Sequence, residues 1–171
     1  MKHIALIFTT AILMGIAVES VKAQNPVTAT ASAFATIVLP IAITKDVDLS
    51  FGNIAAGALA GTVVLAPDGA RTATGVRLPT VPGVVTAARF TVNGTPGANY
   101  TITLPVSVSI SRVGGTAPAM TIATFIEDAE THVLTTPGGT QTFNVGATLH
   151  VLANQPAGTY EGTFNVTVDY Q

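Results

Sequence analysis

Cysteine is missing from this chain of 171 residues. Its absence excludes metal sites built on thiolates, cysteine nucleophiles and disulfide bonds. Many exported domains of this size carry a disulfide. The folded state must therefore be stabilised by side-chain packing and strand pairing.

Charged residues are also scarce, at 9% of the chain, and beyond residue 23 there are five basic residues against eight acidic ones. Nucleic-acid binding depends on clustered Lys and Arg, so we expect no nucleic-acid partner. Thr, Ala, Gly and Val take the place that Lys and Glu usually hold. Such a surface is typical of secreted β-proteins and suits a protein that packs against copies of itself.

Side chains that could carry catalysis are few, because only His132 and His150 remain beyond residue 23. The acidic residues among 127–130, beside His132, could contribute to a cation site, as could Asp46 and Asp48. Nothing supplies the remaining ligands at a recognisable spacing, and no strained, glycine-flanked serine marks a catalytic triad. We therefore predict no catalytic, cofactor-binding or metal site, and a protein that is not an enzyme.

The first 23 residues predict an export signal. A short basic start, Met1-Lys2-His3, precedes an uncharged apolar stretch over residues 4–18, and Val21-Lys22-Ala23 supply small or short residues at the cleavage positions. That stretch is shorter than the roughly 20 residues of a membrane span, and its order is that of a cleaved signal peptide. We expect cleavage after Ala23, no membrane span in the mature chain, and one domain over residues 24–171.

Most apolar runs in the mature chain alternate with polar residues and predict strands. One face of residues 27–38 is apolar, and residues 141–152 place Phe143 and Val151 among the residues of a single face. Turn residues separate these runs about every ten positions, as in Pro67-Asp68-Gly69. Eight or nine short strands and no convincing helix predict an all-β fold, an antiparallel β-sandwich.

The last fourteen residues form the clearest pattern in the chain. They begin at a glycine and end one residue after a tyrosine, and every second residue between is apolar apart from Gly162. A period of two over this length predicts a strand with one buried face. The positions that define it are Gly158, Tyr160, Phe164, Val166, Val168 and Tyr170.

This C-terminal pattern resembles the last strand of chaperone–usher pilins. The mature N-terminus, with its Thr- and Ala-rich alternation at Val27, Ala29, Ala31 and Ala33, is similar to the donor segment of the cysteine-free alternate class. The phrase Leu-Ser-Phe-Gly-Asn-Ile over residues 49–54 resembles a family of secreted bacterial pilin-like domains catalogued as a domain of unknown function. The resemblance implies an immunoglobulin-like (pilin-like) β-sandwich, complete or missing one strand.

The same resemblance implies a function. Residues 24–34 would act as a donor strand, through Val27, Ala29, Ala31 and Ala33, and the C-terminal strand would edge the acceptor groove. The protein would then be a subunit of a fimbria-like surface fibre, with copies of itself or related subunits, a periplasmic chaperone and an usher as partners. It would reside at the cell surface or in the periplasm.

Two alternatives remain open. Residues 27–38 could pair within their own subunit, which would give a self-complemented monomer acting as a binding module or envelope component. The donor face is mostly alanine, and each alanine methyl buries much less than a valine or leucine side chain, worth about 1.5–3 kcal/mol. A small hydrolase would require a triad or metal site that the sequence does not mark.

Overall fold

The computed structural model describes residues 25–171, so the predicted signal peptide lies outside the described residues. The chain divides into two units, Met1–Ala35 and Thr36–Gln171. The described part of the first unit, residues 25–35, is fully exposed and has no regular secondary structure. Across residues 25–171 there are strands and turns and no helix.

The second unit contains twelve strands. They are β1 (Ala42–Val47), β2 (Ser50–Phe51), β3 (Gly61–Leu65), β4 (Arg71–Thr74), β5 (Val85–Thr86), β6 (Ala88–Asn93), β7 (Tyr100–Thr103), β8 (Ser107–Arg112), β9 (Met120–Glu127), β10 (Thr140–Val151), β11 (Tyr160–Glu161) and β12 (Thr167–Tyr170).

All strand pairs are antiparallel. The large sheet has the order β1-β6-β10-β9-β8-β11, and β3 pairs with β10 and β4 on a branch. The branch exists because the twelve-residue strand β10 changes partners: Thr140–Val145 pair with β6, and Ala147–Val151 pair with β3. Two small ladders, β12-β7 and β2-β5, complete the fold. The fold class is therefore confirmed as an all-β antiparallel sandwich.

Two groups of buried side chains form the core, and β10 contributes to both. Its inward residues are exposed by 3% or less, as the alternation predicts: Phe143, Val145, Ala147, Leu149 and Val151. The first core cluster contains Phe51, Val63, Leu65, Ile110, Met120, Ile122, Ala147, Leu149 and Val151. The second core cluster contains Ala88, Phe90, Val92, Tyr100, Leu134, Phe143, Val145 and Val168.

Two predicted strands differ from the structure. Residues 27–38 form no strand, although their pattern alternates. Alternation sets which face is apolar, but a strand also needs a partner edge for its backbone hydrogen bonds.

The predicted C-terminal strand is divided into β11 and β12. Its first part pairs with β8 and its second part pairs with β7. The residues that pass from one partner to the other, 162–166, leave the ladder. Gly162 lies so close to β8 that a Cβ there would come within 2.7 Å of the Ser109 carbonyl oxygen.

Candidate functional site

An open groove of about 820 Å³ runs along one side of the second unit. Residues 49–56 form its first wall, and residues 155–164 form its second wall. Its floor consists of side chains from β8, β9 and β10: Val108, Ile110, Met120, Ile122, Leu149 and Val151. Both walls therefore face each other across an apolar floor.

The floor packs into the first core cluster, and its buried β8 and β9 side chains are less covered than the cluster members away from the groove. Ile110, Met120 and Ile122 are exposed by 9%, 7% and 6%, whereas Val63 and Leu65, away from the groove, are exposed by 0% and 1%. Of the residues described as lining the groove, only one is charged (Glu161). The groove can therefore hold an apolar, uncharged ligand.

The first wall is fixed from behind. Its strand β2 pairs with β5, and the Arg71 guanidinium donates hydrogen bonds to the carbonyl oxygens of Phe51 and Asn53, the latter at 3.1 Å. Asn53 in turn donates its backbone N–H to the Pro82 carbonyl (2.6 Å) and its side-chain amide to the Val81 carbonyl (3.1 Å). Among residues 25–171, no strand pairs with the groove-facing edge of this wall.

The glycine of the phrase over residues 49–54 is Gly52, and its backbone conformation favours glycine. Its φ of +68° is in the region that favours glycine, and a Cβ would lie 2.7 Å from Val85 Cγ2. The wall bends at this point, where β2 ends. The phrase is thus a structural element of the groove wall.

The second wall is held by β8 and by a chain of hydrogen bonds. Tyr160 and Glu161 pair with Arg112 and Ser111. The Gln155 side-chain amide donates to the Tyr160 hydroxyl (2.9 Å), which donates to the Pro156 carbonyl (2.8 Å). Gln155 therefore fixes the turn that leads into this wall.

Hydrogen bonds connect the chain segments that flank the two walls at two places. At one end the Asn154 N–H donates to the Gly57 carbonyl at 2.8 Å. At the other end the Tyr170 hydroxyl donates to the Leu39 carbonyl and accepts from the Thr95 N–H, both at 2.7 Å. We call this second arrangement the tyrosine bridge. Gly94 makes room for it, since a Cβ there would be 2.9 Å from Leu134 and closer still to the Tyr170 hydroxyl.

The predicted acceptor residues divide between two environments. Gly158, Tyr160 and Phe164 line the groove. Val166 and Tyr170 pack against the second core cluster, and Val168 is part of it. The predicted donor residues Val27, Ala29, Ala31 and Ala33 are all exposed. The structure therefore places half of the predicted acceptor strand at the groove.

Sequence reasoning missed Arg71, Gln155 and Thr95, which position the two walls and the tyrosine bridge. Arg71 follows a turn whose residues were recognised, and Gln155 lies in the turn before the terminal strand. Arg71 and Gln155 bond to carbonyl groups 18 to 37 positions away in sequence, and the Thr95 N–H bonds to Tyr170, 75 positions away. No local pattern indicates such contacts.

A polar cluster elsewhere in the fold surrounds Glu127. His132 Nε2 lies 3.1 Å from Glu127 Oε1, and the Ala129 N–H donates to Glu127 Oε2 at 2.5 Å. Burial raises the pKa of Tyr100 above its ordinary value, and the nearby Glu127 carboxylate adds to the increase. Within residues 25–171 no group of three or more His, Asp or Glu side chains is placed to hold a metal ion.

In the part of the chain that the structure describes, we find no helix with the length and apolar character of a membrane span.

Comparison with known proteins gives one match. No curated protein and no solved structure matches the chain significantly. A family model with the description "Domain of unknown function (DUF4402)" matches residues 41–170. This range contains both groove walls, the floor and all twelve strands, so the chain belongs to the DUF4402 family.

Proposed function

We propose that the protein is a non-enzymatic, exported structural subunit of a fimbria-like surface fibre. In this proposal the groove of one copy receives a strand from the next copy. The observation that carries the proposal is the groove itself, with two walls that present unpaired backbone edges on either side of an apolar floor. Unpaired strand edges and uncovered core side chains are both features that strand addition would satisfy.

The N-terminal segment supports the same proposal. Residues 25–41 contain no charged side chain, and residues 25–40 are all exposed. Val27 and Ile37 are exposed by 98% and 97%, and they lie on the apolar face that also carries Ala29, Ala31 and Ala33. An exposed apolar segment of this length favours association with another surface.

Fibre formation follows from the use of two different surfaces. The donor would be the N-terminal segment and the acceptor would be the groove, so the contact between copies is heterologous. Heterologous contacts that do not close into a ring make open filaments. Before assembly, a periplasmic chaperone would cover the same groove, and an usher would order the addition of subunits after export.

A second candidate function is a monomeric exported binding module. It is favoured by the low exposure of the groove floor, where Ile110, Met120 and Ile122 are all exposed by less than 10%. A domain with so little uncovered core could persist alone and use the groove to bind an extended, uncharged peptide.

Size measurements on the mature protein, residues 24–171, test the proposal. We expect slow polymer formation, detected by light scattering and electron microscopy, and a stable monomer when a synthetic peptide of residues 24–38 is present. Deletion of residues 24–38 should abolish polymers while leaving peptide binding intact. A sharp monomer that is indifferent to the peptide would reject the fibre proposal and favour the binding module.

A further inference from the structure

The chain segments that extend from the two walls come close together at one end of the groove. Beyond the groove the first wall continues backwards into β1, and the second wall continues into β12. These two strands approach each other with Cα atoms within 8 Å. The tyrosine bridge joins Leu39 to Tyr170 at the same end.

This approach excludes a strand from that end. Neighbouring strands lie 4.7–4.9 Å apart, so two strands with a third between them need roughly 9.5 Å. The separation of β1 and β12 is smaller than this. The groove itself lies between residues 49–56 and 155–164, and at about 3.3 Å per residue an eight-residue wall spans at most roughly 26 Å.

The short opening accepts a segment of about seven residues, with four side chains facing the floor. The floor that they meet is lined by branched and long aliphatic side chains such as Val108, Met120 and Ile122. A run of four alanines would leave this floor poorly covered, because a methyl group provides little apolar area. The occupant therefore needs at least one large aliphatic side chain among its inward positions.

Of the stretches in the N-terminal segment that meet this requirement, residues 31–37 carry the largest aliphatic side chain that is almost fully exposed. Residues 31–37 place Ala31, Ala33, Ala35 and Ile37 on one face. Residues 27–33 offer the smaller Val27, and residues 32–38, on the opposite face, offer Val38, which is exposed by only 57%. Leu39 marks the other limit, because its N–H and carbonyl are already bonded to Thr95 and Tyr170 in its own domain.

We infer that the groove of one copy receives residues 31–37 of a second copy, with Ile37 as the anchor against the floor. This inference rests on the proposed function and specifies its partner and register. Ile37 is exposed by 97% in the free chain, so it is available to a second copy. Ala31, Ala33 and Ala35 face the floor together with Ile37, and Phe34 faces outwards on the opposite face of the inserted strand.

A matched pair of substitutions tests the register. Val27 and Ile37 are both β-branched, lie on the same face and are almost fully exposed, so neither Val27→Ala nor Ile37→Ala changes the folded domain. In the mature full-length protein we expect Ile37→Ala to weaken association between copies by at least about tenfold. Val27→Ala should change association less than about twofold. Equal effects, or a larger effect of Val27→Ala, would overturn the inference.

Cross-linking gives an independent result, since the natural chain has no cysteine to interfere. One copy carries Ile37→Cys, and the other carries Met120→Cys or Val108→Cys in the floor. We expect a disulfide-linked dimer with at least one floor position, and none when Val27→Cys replaces Ile37→Cys. Failure of Ile37→Cys with both floor positions overturns the register.

Strand donation and the register of the donated strand can be tested separately. If deletion of residues 24–38 abolishes association but Ile37→Ala does not, strand donation stands and the register is wrong. If the deletion leaves association unchanged, strand donation itself is wrong.

Discussion

The two ends of the C-terminal segment share one alternating pattern but have different surroundings. At the β12 end, Val168 is buried, and the half-buried Tyr170 hydrogen bonds to Leu39 and Thr95. At the β11 end, Tyr160 and Phe164 are only half-buried and flank the open groove. Alternation therefore defines an inward face but does not determine what covers that face. Coverage depends on the distance to the first wall, which comes from a remote part of the chain.

The largest expected effect comes from distorting the first wall at the open end. Gly52→Val places a β-branched side chain at a φ of +68° and 2.7 Å or less from neighbouring atoms. We expect the free energy of unfolding to fall by about 3 kcal/mol or more, measured by urea denaturation. Peptide binding should be lost as well.

The matched control is Gly57→Ala, whose new Cβ would meet no atom nearer than 3.9 Å. It should change stability by less than about 0.5 kcal/mol. If Gly52→Val were equally mild, the bend at residue 52 would not position the wall.

Removing the hydroxyl group of either tyrosine in the C-terminal segment should have an intermediate effect on the free energy of unfolding. Tyr170→Phe removes the hydroxyl from both bonds of the tyrosine bridge, and we expect a loss of about 1–3 kcal/mol from the free energy of unfolding. Tyr160→Phe removes one bond to Pro156 and one from Gln155 beside the groove. It should cost less stability, about 0.5–1.5 kcal/mol, because the Gln155 amide keeps its hydrogen bond to the Pro118 carbonyl.

For binding of the 24–38 peptide we expect the opposite order: Tyr160→Phe should weaken binding more than Tyr170→Phe. Tyr160→Phe alters a side chain that lines the groove, whereas Tyr170 lies beyond its closed end. Isothermal titration calorimetry of both variants against this peptide measures the difference. A larger binding loss for Tyr170→Phe would contradict the division into a closed and an open end.

The smallest expected effect at neutral pH concerns Tyr100, which pairs with Tyr170 at the closed end. Its hydroxyl oxygen is buried and has no hydrogen-bond partner among the described residues. Tyr100→Phe removes this unpaired group, so the free energy of unfolding should change by less than about 1 kcal/mol, in either direction.

At alkaline pH, Tyr100 should have a clearer effect on the free energy of unfolding than at neutral pH. The pKa of Tyr100 is raised in the folded state, first by burial and then by Glu127. Its protonated form therefore stabilises the fold fully below the pKa of an unfolded tyrosine, 10.0, and this contribution is lost as pH rises from there through the folded pKa. Denaturation measured between pH 9 and pH 11 should show a steeper loss in the natural protein than in Tyr100→Phe. Parallel curves would show that Tyr100 is solvated.

The sequence predicted those parts of the fold that depend on local pattern. The inward face of β10, from Phe143 to Val151, and the inward face of the terminal segment follow directly from a period of two. The change of partners at residues 162–166 could not be predicted, because it depends on how closely Gly162 approaches β8. The same limit applies to residues 27–38, whose alternation gave no information about a partner edge.

The groove itself was predicted only in part. Gly158, Tyr160 and Phe164 were recognised as one wall because they lie on a visible pattern. The opposite wall was predicted as a short strand and as a family phrase, but its support by Arg71 depends on contacts 18 to 20 residues back along the chain. The width of the groove is a property of two walls about 100 residues apart in sequence, and no local signal encodes it.

The tyrosine bridge also determines where a pulling force on the N-terminal segment would reach the domain. A pull on the N-terminal segment reaches the domain at Leu39, where the chain is already tied to Thr95 and to Tyr170. The force then runs along β1, whose hydrogen bonds to β6 lie across the strand direction and share the load in shear rather than breaking one at a time. A copy would thus be pulled at Leu39, where the segment before β1 is hydrogen-bonded to the last strand, β12.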